Sequence, residues 1–276
     1  MPFPEFDPVI FQIGPFALRW YALAYVAGIA LGWWYGVRLI KSTTIWRGTN
    51  PPINQAQADD LILWITLGII LGGRLGYVLF YRPDLIWRNP LEILQIWNGG
   101  MAFHGGALGV IIAVSIYARA QKVDLLRLGD LVAPCVPFGL FFGRIANFIN
   151  GELWGRPTDL PWGIVFPTGG PFARHPSQLY EALLEGIVLF VLLRWATHGA
   201  KLLPARGMIA GLFLFYYGIF RIAVEFVREP DFHMPVFPLG LTMGMILSIP
   251  MALVGAGAIW LAARGATQPR LAPRSA

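Results

Sequence analysis

Seven apolar runs of roughly twenty residues recur along this chain, near 17–37, 60–80, 103–119, 130–150, 179–196, 207–227 and 240–262. Each is long enough to cross a ~30 Å hydrocarbon layer as a helix. That recurrence excludes a water-soluble globule, because 56% hydrophobic and 13% charged residues in a chain of 276 leave too little charge to cover a surface facing water. A closed barrel would read as short alternating segments, which the chain lacks. Backbone in lipid must satisfy its own hydrogen bonds, so the expectation is an all-α integral membrane protein of about seven transmembrane helices. The opening residues, Met1 to Phe16, carry no basic stretch of the kind that begins a cleavable signal, so the first apolar helix is expected to stay. No linker or low-complexity tract sets off a soluble part. One integral domain over residues 1–263 is expected, with a short basic cytoplasmic tail over 264–276.

Loop cations set the direction of the helices. One set of connections carries Arg38, Lys41 and Arg47, then Arg119, Lys122 and Arg127, then Arg194, Lys201 and Arg206, and finally Arg264, Arg270 and Arg274. The opposite set holds Arg82, Arg88, Arg156, Arg174 and Arg228, offset by Glu5, Asp7, Asp84, Glu92, Glu152, Asp159, Glu229 and Asp231. The N-terminus is therefore expected outside and the C-terminus in the cytoplasm. The same spread of cations explains a pI near 9.7 without nucleic acid as a partner.

The second, fourth and sixth helices then run outward. Arg74, Arg144 and Arg221 each lie about 14 residues in, or roughly 21 Å at ~1.5 Å per residue. A buried arginine costs at least ~2.5 kcal/mol on insertion scales, so three at one depth call for a polar cavity or for partners. Snorkelling to the outer headgroups is the bland alternative for each. Other polar groups reach the same level. Tyr21 begins the first span, His104 opens the third, and Asn147 is one turn beyond Arg144. Glu152 follows at the mouth, where Gly151 is expected to end the helix. Glu225, four residues after Arg221, is placed to pair with it. Guanidinium forks match phosphate, so Arg144 and Arg221, with Arg74 and Glu225 beside them, form an expected site for a phospholipid headgroup. In "RHPSQLYE" Pro176 suits a first helical turn and Glu181 sits favourably near the positive end of the helix dipole, while His175 reads as a cap or a supporting donor and not as a catalyst. Pro134 and Pro137 are expected to kink the fourth span.

Several chemistries are excluded. There is no G-x-S-x-G elbow, and the four histidines, His104, His175, His198 and His233, show no H-x-x-x-H pair for zinc. Cys135 is the only cysteine, so no intramolecular disulfide is possible, and it reads as a small packing residue. No metal or organic cofactor is implied. A chain without its own nucleophile fits a transferase whose two reactants both come from outside. The rival reading is a secondary transporter of an organic anion, which would place its arginines near the midplane between broken helices of two repeated halves. A silent lipid-binding scaffold gives no reason for His104 and Tyr21 at the same mouth.

The stretches "DPVIFQIGPFALRWY", "GGMAFHGGALG", "GRIANFINGELWGR", "RHPSQLYEALLEG" and "YGIFRIAVEF" together closely resemble the bacterial prolipoprotein diacylglyceryl transferase family, over nearly the whole chain. The resemblance implies an inner-membrane enzyme with its active site toward the periplasm. It would move diacylglyceryl from phosphatidylglycerol to the thiol of the lipobox cysteine of a prolipoprotein, releasing glycerol phosphate in the first step of lipoprotein maturation. It also implies roles. Arg144 corresponds to the arginine that binds the phosphatidylglycerol headgroup, with Asn147, Glu152 and Gly155 as companions. Arg221 corresponds to the second essential arginine, His104 to the histidine of the H-G-G motif, and Tyr21 to the N-terminal tyrosine. Thiol activation is open between His104 as base and the field of the arginines.

Overall fold

The computed structural model describes residues 1–4, 6–14, 16–96, 99–230, 237 and 240–267. Among these, six helices are long and apolar enough to cross a membrane. They are α1 (Trp20–Lys41), α2 (Gln55–Tyr81), α3 (Phe103–Ala120), α4 (Leu125–Ile149) and, after a further helix α5 over 177–199, α6 (Met208–Glu225) and α7 (Met243–Thr267). The fold is that of a helical membrane protein. α5 coincides with the span expected at 179–196. Two of its stretches, Ala182–Val188 and Trp195–Gly199, have the wider π turn, which breaks the regular α register that the apolar count assumed.

The boundaries show which local rules governed. The first span was expected from residue 17, but Phe16–Arg19 (β2) pairs antiparallel with Val9–Ile13 (β1), and α1 begins only at Trp20. The ribbon is joined to the helix by Trp20 N, which donates to Pro8 O at 3.2 Å. Within α4, Ala133–Cys135 tightens to a 3-10 turn around Pro134, which has no N–H to give the preceding turn. Of the tail expected from 264, residues 264–267 continue α7, and 268–276 lie outside the described residues, as does His233.

The chain divides into two compact units. The first comprises Met1–Asn50 and the chain from Gly129 on; there α1 and α5 pack on α4, and α6 packs on α7 around a dry interior that includes Leu39, Leu189, Leu193 and Ile209. The second, Pro51–Leu128, is built on α2 against α3. Their axes approach so closely that a Cβ on Gly72 would strike the carbonyl oxygen of Gly105, which is why small residues line that contact. The other face of α2 presents Leu67, Leu71, Leu75 and Leu79, all exposed and spaced one turn apart. Such a stripe suits lipid tails, which an apolar face can meet at no cost.

Candidate functional site

A single carboxylate organises the polar interior of the first unit. Glu181, on α5, is fully buried. Arg221 Nη1, from α6, donates to its Oε1 at 2.7 Å, and Arg228 Nη1, just beyond α6, reaches the same oxygen at 3.2 Å. Arg144 Nε, from α4, lies 3.0 Å from the other oxygen. Glu185 follows on α5, also fully buried, with an oxygen 3.7 Å from Arg144 Nη2. As the i, i+4 spacing predicts, Arg221 pairs with Glu225, at 2.5 Å. Thr242 Oγ1 donates to the other Glu225 oxygen at 2.5 Å and accepts from Met245 N, so the residue that caps α7 also fixes this carboxylate. Three guanidiniums thus face three carboxylates. That balance is what lets six formal charges sit inside an apolar bundle.

The guanidiniums differ in what their donors do. Arg221 and Arg228 donate to Glu181. Arg144 is held by charge alone: neither Glu181 Oε2 nor either Glu185 oxygen takes a hydrogen bond in suitable geometry, and among the described residues none accepts from Arg144. Its side chain is 12% exposed. A fork of donors in a dry setting, kept in place by two carboxylates but hydrogen-bonded to neither, is suited to an oxyanion.

The turn after α4 carries the companions of Arg144. Gly151, at φ +65°, takes the left-handed cap, with Gly151 N bonded to Phe148 O at 2.9 Å and Glu152 N to Asn147 O at 3.1 Å. That reversal folds Glu152 back onto the helix. Asn147 Nδ2 donates to Glu152 Oε1 at 2.9 Å and to the Tyr21 hydroxyl, from the start of α1, at 2.9 Å. Leu153, at φ +58°, is in a region unfavourable for a branched side chain, and its carbonyl is held by Ser177 Oγ at 2.9 Å. Gln178 Nε2 likewise holds the Glu152 carbonyl, at 2.5 Å, so the first turn of α5 fixes this loop against the helix that bears Glu181.

Gly155 is threaded between two other backbones. Its N–H donates to His175 O at 2.8 Å, its carbonyl accepts from Arg174 Nη1 at 3.2 Å, and Arg156 N donates to Val227 O at 2.9 Å. Arg174 also pairs with Glu229 at 3.0 Å and lies 4.0 Å over the Trp154 ring. Burial draws the His175 imidazole below the ordinary histidine value, and the Tyr180 hydroxyl lies 3.3 Å from its Nδ1. A Cβ on Gly155 would stand 2.5 Å from Val227 O and 2.7 Å from His175 Cβ. Gly155→Ala is therefore expected to destabilise the protein by about 1–3 kcal/mol through overpacking, read as a lower midpoint of thermal unfolding in detergent. An unchanged midpoint would mean that the three segments part freely.

The two remaining predicted site residues belong to the second unit. His104 lies in the first turn of α3, exposed, with its ring edge-on to Phe103 at 5.7 Å. Arg74, expected to bind substrate beside the other arginines, is 5% exposed and turns its donors to backbone carbonyls: Nε to Ile93, Nη1 to Gly99 and Gly100, and Nη2 to Glu92. A guanidinium so occupied has no fork to offer, and its assignment moves from substrate to loop. Sequence reasoning missed the hub itself. Glu181 was read as a dipole partner and Arg228 as a loop cation, and Glu185 was not singled out. The available signal was the pair of carboxylates four residues apart in the apolar run "QLYEALLEG", since an ionisable group inside a span marks a site by default.

Comparison with known proteins bears on this arrangement. Residues 8–261 match the family described as prolipoprotein diacylglyceryl transferase. A protein of Phenylobacterium zucineum (strain HLK1) named phosphatidylglycerol–prolipoprotein diacylglyceryl transferase is 62% identical, over 99% of this chain and 98% of its own. Proteins with the same name from Rhizobium meliloti (strain 1021) and Caulobacter sp. (strain K31) are 58% and 54% identical, covering 96% and 99% of this chain and 94% and 98% of theirs.

Proposed function

This chain belongs to the prolipoprotein diacylglyceryl transferase family, and we propose that the arginines gathered on Glu181 are where it transfers diacylglyceryl from phosphatidylglycerol to the thiol of a prolipoprotein lipobox cysteine. The observation that carries this reading is the state of Arg144, buried and held by charge, with its N–H groups left for an acceptor. A phosphodiester supplies that acceptor. Both substrates reach the enzyme from the membrane, the lipid from the leaflet and the precursor through the segment around its cysteine.

The cysteine sulfur attacks C3 of the glyceryl group, the bond from C3 to the phosphate oxygen breaks, and its electron pair stays on the phosphate. Thioether and glycerol phosphate result. Charge grows on the departing group, where Arg144 and Arg221 stabilise it in a water-poor setting; removal of one such preorganised donor costs about 10²-fold to 10³-fold in rate. Asn147, Glu152 and Tyr21 hold the turn that frames Arg144, and Gly155 lets the outer segment pass between the backbones of His175 and Val227. A free thiol has a pKa of about 8.5, so its proton must be taken up, by His104 as base or under the field of the arginines. The distribution of loop cations supports a site toward the periplasmic side of the inner membrane.

Purified protein incubated with phosphatidylglycerol and a lipobox peptide should release glycerol phosphate and yield a heavier peptide. Flux of an organic anion across sealed vesicles, with neither product formed, would replace the transferase by a transporter.

A further inference from the structure

Around the buried arginines of the first unit the charges balance: Arg144, Arg221 and Arg228 face Glu181, Glu185 and Glu225. A phosphodiester brought to Arg144 adds one negative charge to that cluster. An excess charge in a dry interior is unfavourable, and a buried carboxylate relieves it by taking a proton. The three carboxylates are not equally placed to do so. Glu181 has guanidinium nitrogens at 2.7, 3.0 and 3.2 Å, and Glu225 is held by Arg221 and by the Thr242 hydroxyl, both at 2.5 Å. Glu185 is fully buried, and neither of its oxygens has a hydrogen-bond partner among the described residues. The cation it pairs with is Arg144, whose Nη2 lies 3.7 Å away. It stands in the π turn Ala182–Val188, an irregularity that recurs at functional sites. The other groups that face it are Glu181 on its own helix, Tyr217 and Arg221 on α6, and Arg228 beyond α6.

We infer that the lipid phosphate enters this site together with one proton, and that Glu185 is the group that takes it. This rests on the reading of the arginine site as the place where phosphatidylglycerol binds. Arg144 is the guanidinium with no directed bond to a carboxylate, so it is the one able to turn to a phosphate. In turning it withdraws the ion pair that Glu185 has among the described residues. A protonated Glu185 gains an O–H donor of its own and no longer adds to the negative charge. One phosphodiester anion and one proton from water go in, and no covalent bond other than that of the proton is made. The bound state then holds one proton more than the free state, so binding is favoured at low pH and weakens as pH rises.

The test is calorimetric titration of the full-length protein in detergent with a short-chain phosphatidylglycerol, in two buffers of different ionisation enthalpy and without an acceptor peptide. The difference in heat between the buffers counts protons. About one proton is expected per lipid bound, and Kd should rise about tenfold per pH unit between about pH 6 and 8, where the phosphodiester stays a monoanion. Glu185→Gln, which keeps the shape of the protonated form without a titrating group, should bring the count to about zero and remove the pH dependence. It should also bind the lipid more tightly than the starting protein at about pH 8, since no proton has to be acquired there. If Glu185→Gln does not fold, Glu185→Met takes its place with the same expectations. A count near zero in the starting protein, or a count of one that survives in the variant, overturns the role of Glu185 and leaves the lipid site standing. A starting protein that does not bind phosphatidylglycerol removes the lipid site, and this inference with it.

Discussion

Glu181→Ala is expected to lose transfer and to unfold at a markedly lower temperature, although Glu181 itself has no surface from which to touch a substrate. The carboxylate is fully buried and faces Arg144, Arg221 and Arg228 at 3.0, 2.7 and 3.2 Å. Without it the three cations are left with Glu185, which lies 3.7 Å from Arg144, and Glu225, which is engaged by Arg221 and Thr242. Breaking a buried ion pair by removing one partner costs on the order of 3–5 kcal/mol, since the stranded charge keeps its desolvation penalty. Here the repulsion among the guanidiniums adds to that. Thermal unfolding in detergent and glycerol phosphate release should fall together. A variant of ordinary stability and rate would show that the hub is incidental to the arginines it touches. Glu181→Gln is the milder version, keeping the shape and losing the charge.

The second large effect is the opposite in kind. Arg144→Lys should leave stability close to the starting value and reduce transfer by about 10²-fold to 10³-fold. Arg144 is held by charge and not by directed hydrogen bonds, and an ammonium group can take over an ionic contact with Glu181. It cannot present a planar fork to two phosphate oxygens. The comparison of Arg144→Lys with Glu181→Ala therefore separates the group proposed to meet the lipid from the group that holds it. Arg144→Lys turnover near that of the starting enzyme would show that positive charge at this point is sufficient, and the fork argument would fall.

How far the sequence carried differs between the fold and the site. The spans were legible because an apolar run long enough to cross a bilayer is a property of consecutive residues, and among the described residues six of the expected spans coincide with helices long and apolar enough to cross. Interactions within one turn were legible for the same reason. The Arg221–Glu225 pair and the helix end at Gly151 follow from spacing and from the backbone freedom of glycine. The start of α1 was misjudged because β2 is as apolar as the helix it precedes, and only its pairing with β1 distinguishes the two. The π turns of α5 leave no trace in composition.

By itself the sequence determined that this is a helical membrane protein, where its helices run, and which arginines lie inside them, because insertion energies act on each segment alone. Only the tertiary structure decided what each arginine does. Arg74, Arg144 and Arg221 occupy the same sort of place in their helices, yet one is taken up by loop carbonyls, one shares its donors between two carboxylates, and one is held by charge with its donors free to act. That difference is set by partners from other segments of the chain, such as Glu181 some forty residues away, and no local pattern encodes which of several buried charges will meet.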